Sequence, residues 1–98
     1  MAQYVIMWDF TDQGIRNVKN TIKRAEKFKG AVEAAGGKLI SEYYTLGKHD
    51  IVTIVEAPND EVIMAVLLAT GRLGNVRSET LKAFPMSEAA NIIEKLQL

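Results

Sequence analysis

The lone histidine of the chain sits beside a carboxylate, in His49-Asp50. Imidazole changes charge near neutrality, and a neighbouring carboxylate orients it or holds it protonated, so this pair is a candidate for general acid–base chemistry. The plainer alternative is a turn residue beside a turn-capping aspartate, and neighbours on an extended chain point to opposite faces. Arg16 and Arg77 are a second constellation. Guanidinium groups bind carboxylates and phosphates in a bidentate fork, although both arginines also have Asp9, Asp12 or Glu79 as internal partners, or a dimer contact to make. Trp8, Phe10, Tyr43 and Tyr44 supply the apolar lining of a ligand pocket, or equally the packing of a core and an interface. The binding candidates are therefore Trp8, Arg16, His49, Asp50 and Arg77, with His49 and Asp50 as the catalytic candidates.

The elements that position these residues are built around the hairpin Tyr43–Glu56. Gly47 and Asp50 bracket its turn: glycine takes positive φ without steric cost, and aspartate bonds to its local backbone. The arm after the turn, Ile51-Val52-Thr53-Ile54-Val55, is apolar on both faces, as in a central strand. The arm before it, Lys38–Leu46, carries Ser41 and Glu42 and suits a sheet edge. Residues 3–10 form another strand apolar on both faces, with Tyr4, Ile6, Trp8 and Phe10 on one and Val5 and Met7 on the other. Thr11–Asn20 reads as a loop with room for one helical turn. Ile22, Ala25, Phe28, Val32 and Ala35 then recur at helical spacing until Gly36-Gly37 ends the helix. Pro58-Asn59-Asp60-Glu61 starts a second helix, with Asn59 as its cap and two acids in the first turn. Its body, Val62–Ala69, is apolar all round, so one side meets the sheet and the other the terminal helix or a partner, with Ile63, Val66 and Leu67 mostly buried. Val76–Phe84 is the fourth strand, stopped by Pro85, and Ser87–Leu98 is a short amphipathic helix.

The order βαββαβ plus a terminal helix, with right-handed crossovers, gives a ferredoxin-like α+β sandwich: a four-stranded antiparallel sheet, order 4-1-3-2, with both helices on one face. It forms one domain over 1–98, with its core in 3–84 and a C-terminal helix in 86–98. The face without helices keeps large apolar groups, the mark of an interface, and predicts a homodimer or higher homo-oligomer. The same connectivity gathers the loops 11–17, 47–50 and 71–77 at one pole. There Arg16 or Arg77 is expected to pair with Asp12, Asp50 or Glu79, and an acidic ligand to bind close by.

Composition excludes several functions. The chain has no cysteine, a single histidine and zero net charge, which removes thiol chemistry, disulfides and a multi-histidine metal site within one chain. No metal and no cofactor is expected. Residues 16–38 hold seven basic and two acidic groups, which reads as the solvated face of a helix rather than a nucleic-acid patch. The related RNA-binding arrangement stacks bases on aromatics of the first and third strands, and Asp50–Glu56 has none. Val62–Ala69 is far too short to span a membrane, and Met1–Asp9 lacks a basic segment typical of a signal peptide, so a cytoplasmic location is expected, with no membrane and no nucleic-acid partner.

Thr11-Asp12-Gln13-Gly14-Ile15-Arg16-Asn17, Thr45-Leu46-Gly47-x-His49-Asp50, Glu56-Ala57-Pro58 and Gly74-Asn75-Val76-Arg77-Ser78-Glu79-Thr80 together resemble the GYD-domain proteins, a family named for a Gly/Tyr/Asp signature. The resemblance covers roughly 3–84, and His49 stands at the signature's aromatic position. It implies a fold similar to the dimeric α+β barrel proteins, and no established reaction. Two readings of function follow, a leading one and an alternative. One is a dimer that binds a small organic, anionic molecule at the pole or between sheets, with any catalysis being cofactor-free acid–base work by His49 or Asp50. The other is a non-catalytic assembly or regulatory module whose polar loops contact other subunits.

Overall fold

Two strands whose side chains are apolar on both faces have to lie inside a sheet, and they do. The computed structural model describes residues 1–97. It contains β1 (Ala2–Phe10), α1 (Asp12–Arg16), a 3-10 turn (Val18–Asn20), α2 (Thr21–Ala34), β2 (Lys38–Tyr44), β3 (Ile51–Ala57), α3 (Asp60–Gly71), β4 (Val76–Ala83) and α4 (Met86–Glu94). The sheet order is β2-β3-β1-β4, with every pairing antiparallel. Read from the other edge this is 4-1-3-2, the expected ferredoxin-like order, with β1 and β3 central.

Register sets which side chains share a face, because directly paired residues of antiparallel strands point the same way. Tyr4 pairs with Val55, Ile6 with Thr53 and Trp8 with Ile51. These residues are buried and meet Phe28 and Val32 of α2 and Ile63 and Val66 of α3 in a single core. Trp8 packs edge-on against Phe28, ring centroids 4.9 Å apart, and its indole N–H donates to Thr53 Oγ1 at 3.0 Å, so the one polar atom of a buried ring is satisfied. Burying each large apolar side chain of this set contributes about 1.5–3 kcal/mol.

The helices begin and end where local chemistry says they should. Asn59 Oδ1 accepts from Val62 N at 2.9 Å, capping α3. After α2, Gly36 adopts φ +89°, and Gly37 N donates to Val32 O at 2.9 Å, a left-handed helix stop. Two details depart from the periodicity. Ile22, at the margin of the α2 stripe, is exposed, while Ala25, Phe28 and Val32 carry the contact. On α3, Ile63 and Val66 are buried but Leu67 is only half-buried, and Met64 and Leu68 are exposed: among the described residues, neither α4 nor any other element covers the second side of this helix.

The opposite sheet face bears Val5, Met7, Val52, Ile54, Tyr43 and Leu81, and no helix of the described residues lies over it. The stripe α4 presents is also uncovered. The Cα radius of gyration is 14.9 Å, against about 12.5 Å for a compact chain of this length. The excess is consistent with α4 standing off the sandwich. No helix among the described residues is long and apolar enough to cross a membrane.

Candidate functional site

The three polar loops lie at one pole; the first and third are bonded to each other, and the hairpin turn is bonded to β1. Thr11 is the hinge. Its backbone N–H donates to Asn75 O at 3.1 Å and its hydroxyl to Gly74 O at 2.5 Å, while the same hydroxyl caps α1 by accepting from Gly14 N at 3.1 Å. Gln13 Nε2 donates to Leu73 O at 3.0 Å and to Asn75 Oδ1 at 2.9 Å. Gly14 is buried with its Cα against the Asn75 carbonyl, so close that a Cβ there would overlap that oxygen. Arg24 reaches from α2 to the end of α1, donating to Asn17 O at 2.9 Å and Gly14 O at 3.2 Å. A cation at those carbonyls opposes their partial negative charge.

The hairpin is tied to β1 through Asp50. Asp50 N donates to Trp8 O, Asp50 O accepts from Thr45 N, both at 2.9 Å, and Asp50 Oδ2 accepts from Phe10 N at 2.8 Å. Gly47 takes φ +105°, which only glycine adopts easily. His49 does not pair with Asp50. Its Nδ1 lies 3.1 Å from Asp9 Oδ1, an acid placed there by the end of β1.

Of the residues singled out for binding, Trp8, His49 and Asp50 are therefore brought together where β1 meets the hairpin. Trp8 is core, Asp50 is a backbone tie and His49 lies half-buried on Asp9. Arg77 is the cross-strand neighbour of Asp9 on β4, on the open sheet face. Arg16 ends α1, apart from this group, and is exposed. The expected ion pair fails: among the described residues neither Arg16 nor Arg77 forms a salt bridge with Asp12, Asp50 or Glu79. The cation that the pole uses internally is Arg24, which the sequence presented only as one of seven basic residues. Its signal was position, since Arg24 stands one helical turn before the core residue Phe28. Tyr44 turns toward the helices, its hydroxyl 3.0 Å from Thr21 Oγ1, whereas Tyr43 lies on the open face.

Two spaces flank the pole. A cleft between Trp8, Phe28, Ile51, Thr53 and Val76 holds ≈ 50 Å³ of free volume, room for a few waters and not for an organic ligand of ordinary size. A wider groove of ≈ 490 Å³ runs between α2 and α3, floored by Phe28 and Val76, with Arg24 and Lys27 at its rim. Outside these, Ile15, Leu46 and Leu73 stand exposed on the loops, Leu46 completely so at 101%.

The family model described as GYD domain matches residues 4–93. The chain belongs to the GYD domain family. It is 25% identical over 89 residues to the Glutamine synthetase and cystathionine beta-lyase binding protein of Thermus thermophilus, covering 90% of this chain and 94% of that one. Among solved structures it resembles TTHA0845, also from Thermus thermophilus, with a TM-score of 0.56 and 21% identity over 87% of this chain and 95% of that one. MtbAldR is similar at a TM-score of 0.67 and 12% identity over 86% of this chain, which spans about half the length of that protein, 52%. At these identities the structural likeness is one of fold. In this GYD domain the glycine and aspartate of the signature shape the hairpin and fasten it to β1, while the aromatic position, held by His49, is turned to Asp9.

Proposed function

We propose that this GYD-domain chain is a non-catalytic module that dimerises through its open sheet face and docks on other proteins through the loop-rich pole. The observation that carries this reading is the state of the pole. The loops 11–17 and 71–77 are bonded to each other and the cleft behind them has ≈ 50 Å³ of free volume, while Ile15, Leu46 and Leu73 stand exposed on the loops. Exposed apolar tips suit a protein contact. The uncovered strip Val5, Met7, Val52, Ile54 supports self-association of the isologous kind. The Thermus relative is named for binding glutamine synthetase and cystathionine beta-lyase, which makes metabolic enzymes the class of partner to test first.

The test is direct. Immobilised protein is presented with purified glutamine synthetase and with cystathionine β-lyase in biolayer interferometry, alongside a Leu46→Glu, Leu73→Glu double variant. Binding by the native chain that weakens at least about tenfold in the variant, some 1.4 kcal/mol, fits the pole as the docking surface. Binding by neither enzyme rejects that partner class, and equal binding by both forms moves the contact off the pole.

One observation favours the second reading, an anionic organic ligand: Arg16 and Arg77 have no salt-bridge partner among the described residues. Any acid–base chemistry there falls to His49, because Asp50 is held by the backbone of β1. Thermal-shift screening of small carboxylates and phosphates tests it. A rise in melting temperature in the native chain and none in an Arg16→Ala, Arg77→Ala variant supports the ligand; no rise in either defeats it.

A further inference from the structure

The α4 helix is a helix without a seat. Met86, Ala89, Ala90 and Ile93 recur at spacings of three, one and three, and make one apolar stripe with Ile92 and Leu96 beside it. Yet α4 contains no buried residue: Met86 is 86% exposed and Ile93 63%, and only Ala89 is half-covered. Nine residues are too few to hold a helix in water alone, so its stability has to come from packing that stripe.

The α2–α3 groove offers the complementary surface. From α2 it takes Lys27, Phe28 and Ala31; from α3 and the following loop, Ala69 and Leu73. Small residues on both helices open it, an aromatic ring floors it, and no acidic side chain is among those that line it. α4 carries Glu88 and Glu94 and no basic residue within Met86–Glu94, and Glu94 falls at the margin of the stripe, where a rim lysine would meet it. Anchors at i, i+3, i+4 and i+7 are how an amphipathic helix fills such a groove.

The chain's own α4 is not seated there: none of its residues lines the groove and none is buried. A second copy can bring its α4 to this surface. We infer that α4 of one copy docks in the α2–α3 groove of a second copy, with the stripe Met86-Ala89-Ala90-Ile93 on Phe28 and Ala69, and Glu94 against Lys27. This contact is distinct from the open sheet face and does not depend on it.

The absence of cysteine makes cross-linking clean. Full-length Ala69→Cys protein carrying a mass tag is mixed with untagged Ala90→Cys protein and treated with a short bis-maleimide. The expected product is the tagged–untagged conjugate, at least about fivefold above the yield with Asn91→Cys, which lies on the back of α4. Ile93→Glu, a change at an exposed position, should abolish it. Lys27→Glu should reduce it, and Glu94→Lys in the other copy should restore it. A conjugate yield equal to that of Asn91→Cys, or one that Ile93→Glu leaves unchanged, overturns the proposal. So does a seat within the same chain or on a different protein, since neither joins two singly labelled copies. Repeating the mixture with Val52→Glu in both copies, which attacks the open sheet face, separates this contact from the sheet dimer: the conjugate should persist.

Discussion

The two faces of the sheet are made from the same kinds of residue in alternation and meet opposite surroundings. Ile6, Thr53 and Val55 point to the helices and are almost wholly buried, whereas their chain neighbours Val5, Met7, Val52 and Ile54 point the other way and are sheltered only by adjacent strands. Alternation normally separates a core face from a wet one. Here β1 and β3 break that rule, and the break is informative. A strand apolar on both faces predicts a central position, and it also predicts a second cover. The helices supply the first cover, and no element of the described residues supplies the second.

The sharpest way to break this contrast is to remove side chains from adjacent positions. Trp8→Ala on the covered face should cost about 3–5 kcal/mol, because it deletes the ring packed on Phe28 and leaves the Thr53 hydroxyl without its donor. Met7→Ala on the open face, measured where the protein is dilute and monomeric, should cost less than about 1 kcal/mol. Urea unfolding checks both. Equal losses would mean that the two faces are equally packed within one chain.

A charge on the open face should act on assembly instead of folding. Val52→Glu places a carboxylate in the middle of the apolar strip, and burying an unpaired charge between two sheets is prohibitive. The expected outcome is a dimeric native protein and a monomeric variant by light scattering, with unchanged far-ultraviolet circular dichroism. A native protein that is monomeric at micromolar concentration would remove the open face from the argument.

The same contrast shows how far the sequence could be read. The sheet order and the central places of β1 and β3 were legible because they rest on many residues of consistent pattern. So were the glycine stop of α2 and the Asn59 cap, whose chemistry is local. The pole was legible as a place, since connectivity alone gathers its loops. Its wiring was not. Gln13 reaching Leu73 and Asn75, Arg24 reaching Asn17, and Gly14 pressed on Asn75 depend on where two distant segments dock, and no periodicity encodes that. α1 is the one helical turn expected within Thr11–Asn20, held by the Thr11 hydroxyl. The arginine pairing expected for Arg16 or Arg77 failed for a related reason: a long flexible side chain at the surface gains little from a single geometry.

At the rim of the covered face, Tyr4 extends from the core to donate its hydroxyl to Asp60, and Lys82 Nζ lies 3.4 Å from the same carboxylate. Burial, and then Asp60, push the Tyr4 phenol up to about 12. The Tyr4 hydrogen bond, then Lys82, hold Asp60 below its ordinary value of 3.8. The signs are opposite. A lowered carboxylate contributes stability above its unfolded value that is lost as pH falls through the folded one. A raised phenol contributes stability below 10 that is lost as pH climbs toward 12. Tyr4→Phe should therefore flatten both limbs of the stability–pH curve, the acid limb below 3.8 and the alkaline limb above 10. Urea midpoints on the acid limb, at neutrality and on the alkaline limb test this, and a variant with the native slope in both limbs would show that Tyr4 does not couple to Asp60.

The smallest expected effect tests whether the covered face is ideally matched to its helices. Thr80 on β4 pairs with Ile6, on the helix side, and its Oγ1 is buried with no hydrogen-bond partner among the described residues. Thr53, on the same face, has the Trp8 indole as its donor. Two threonines flanking one isoleucine thus differ in the one property that decides whether a buried hydroxyl is tolerated. Valine keeps the branched shape and strand preference of threonine while removing the oxygen. Thr80→Val should stabilise the fold by about 0.5–1 kcal/mol, whereas Thr53→Val should destabilise it by about 1 kcal/mol or more by stranding the indole N–H. Thermal and urea unfolding of the two variants read the difference in sign. A loss of stability at position 80 would mean that its hydroxyl has a partner in solution.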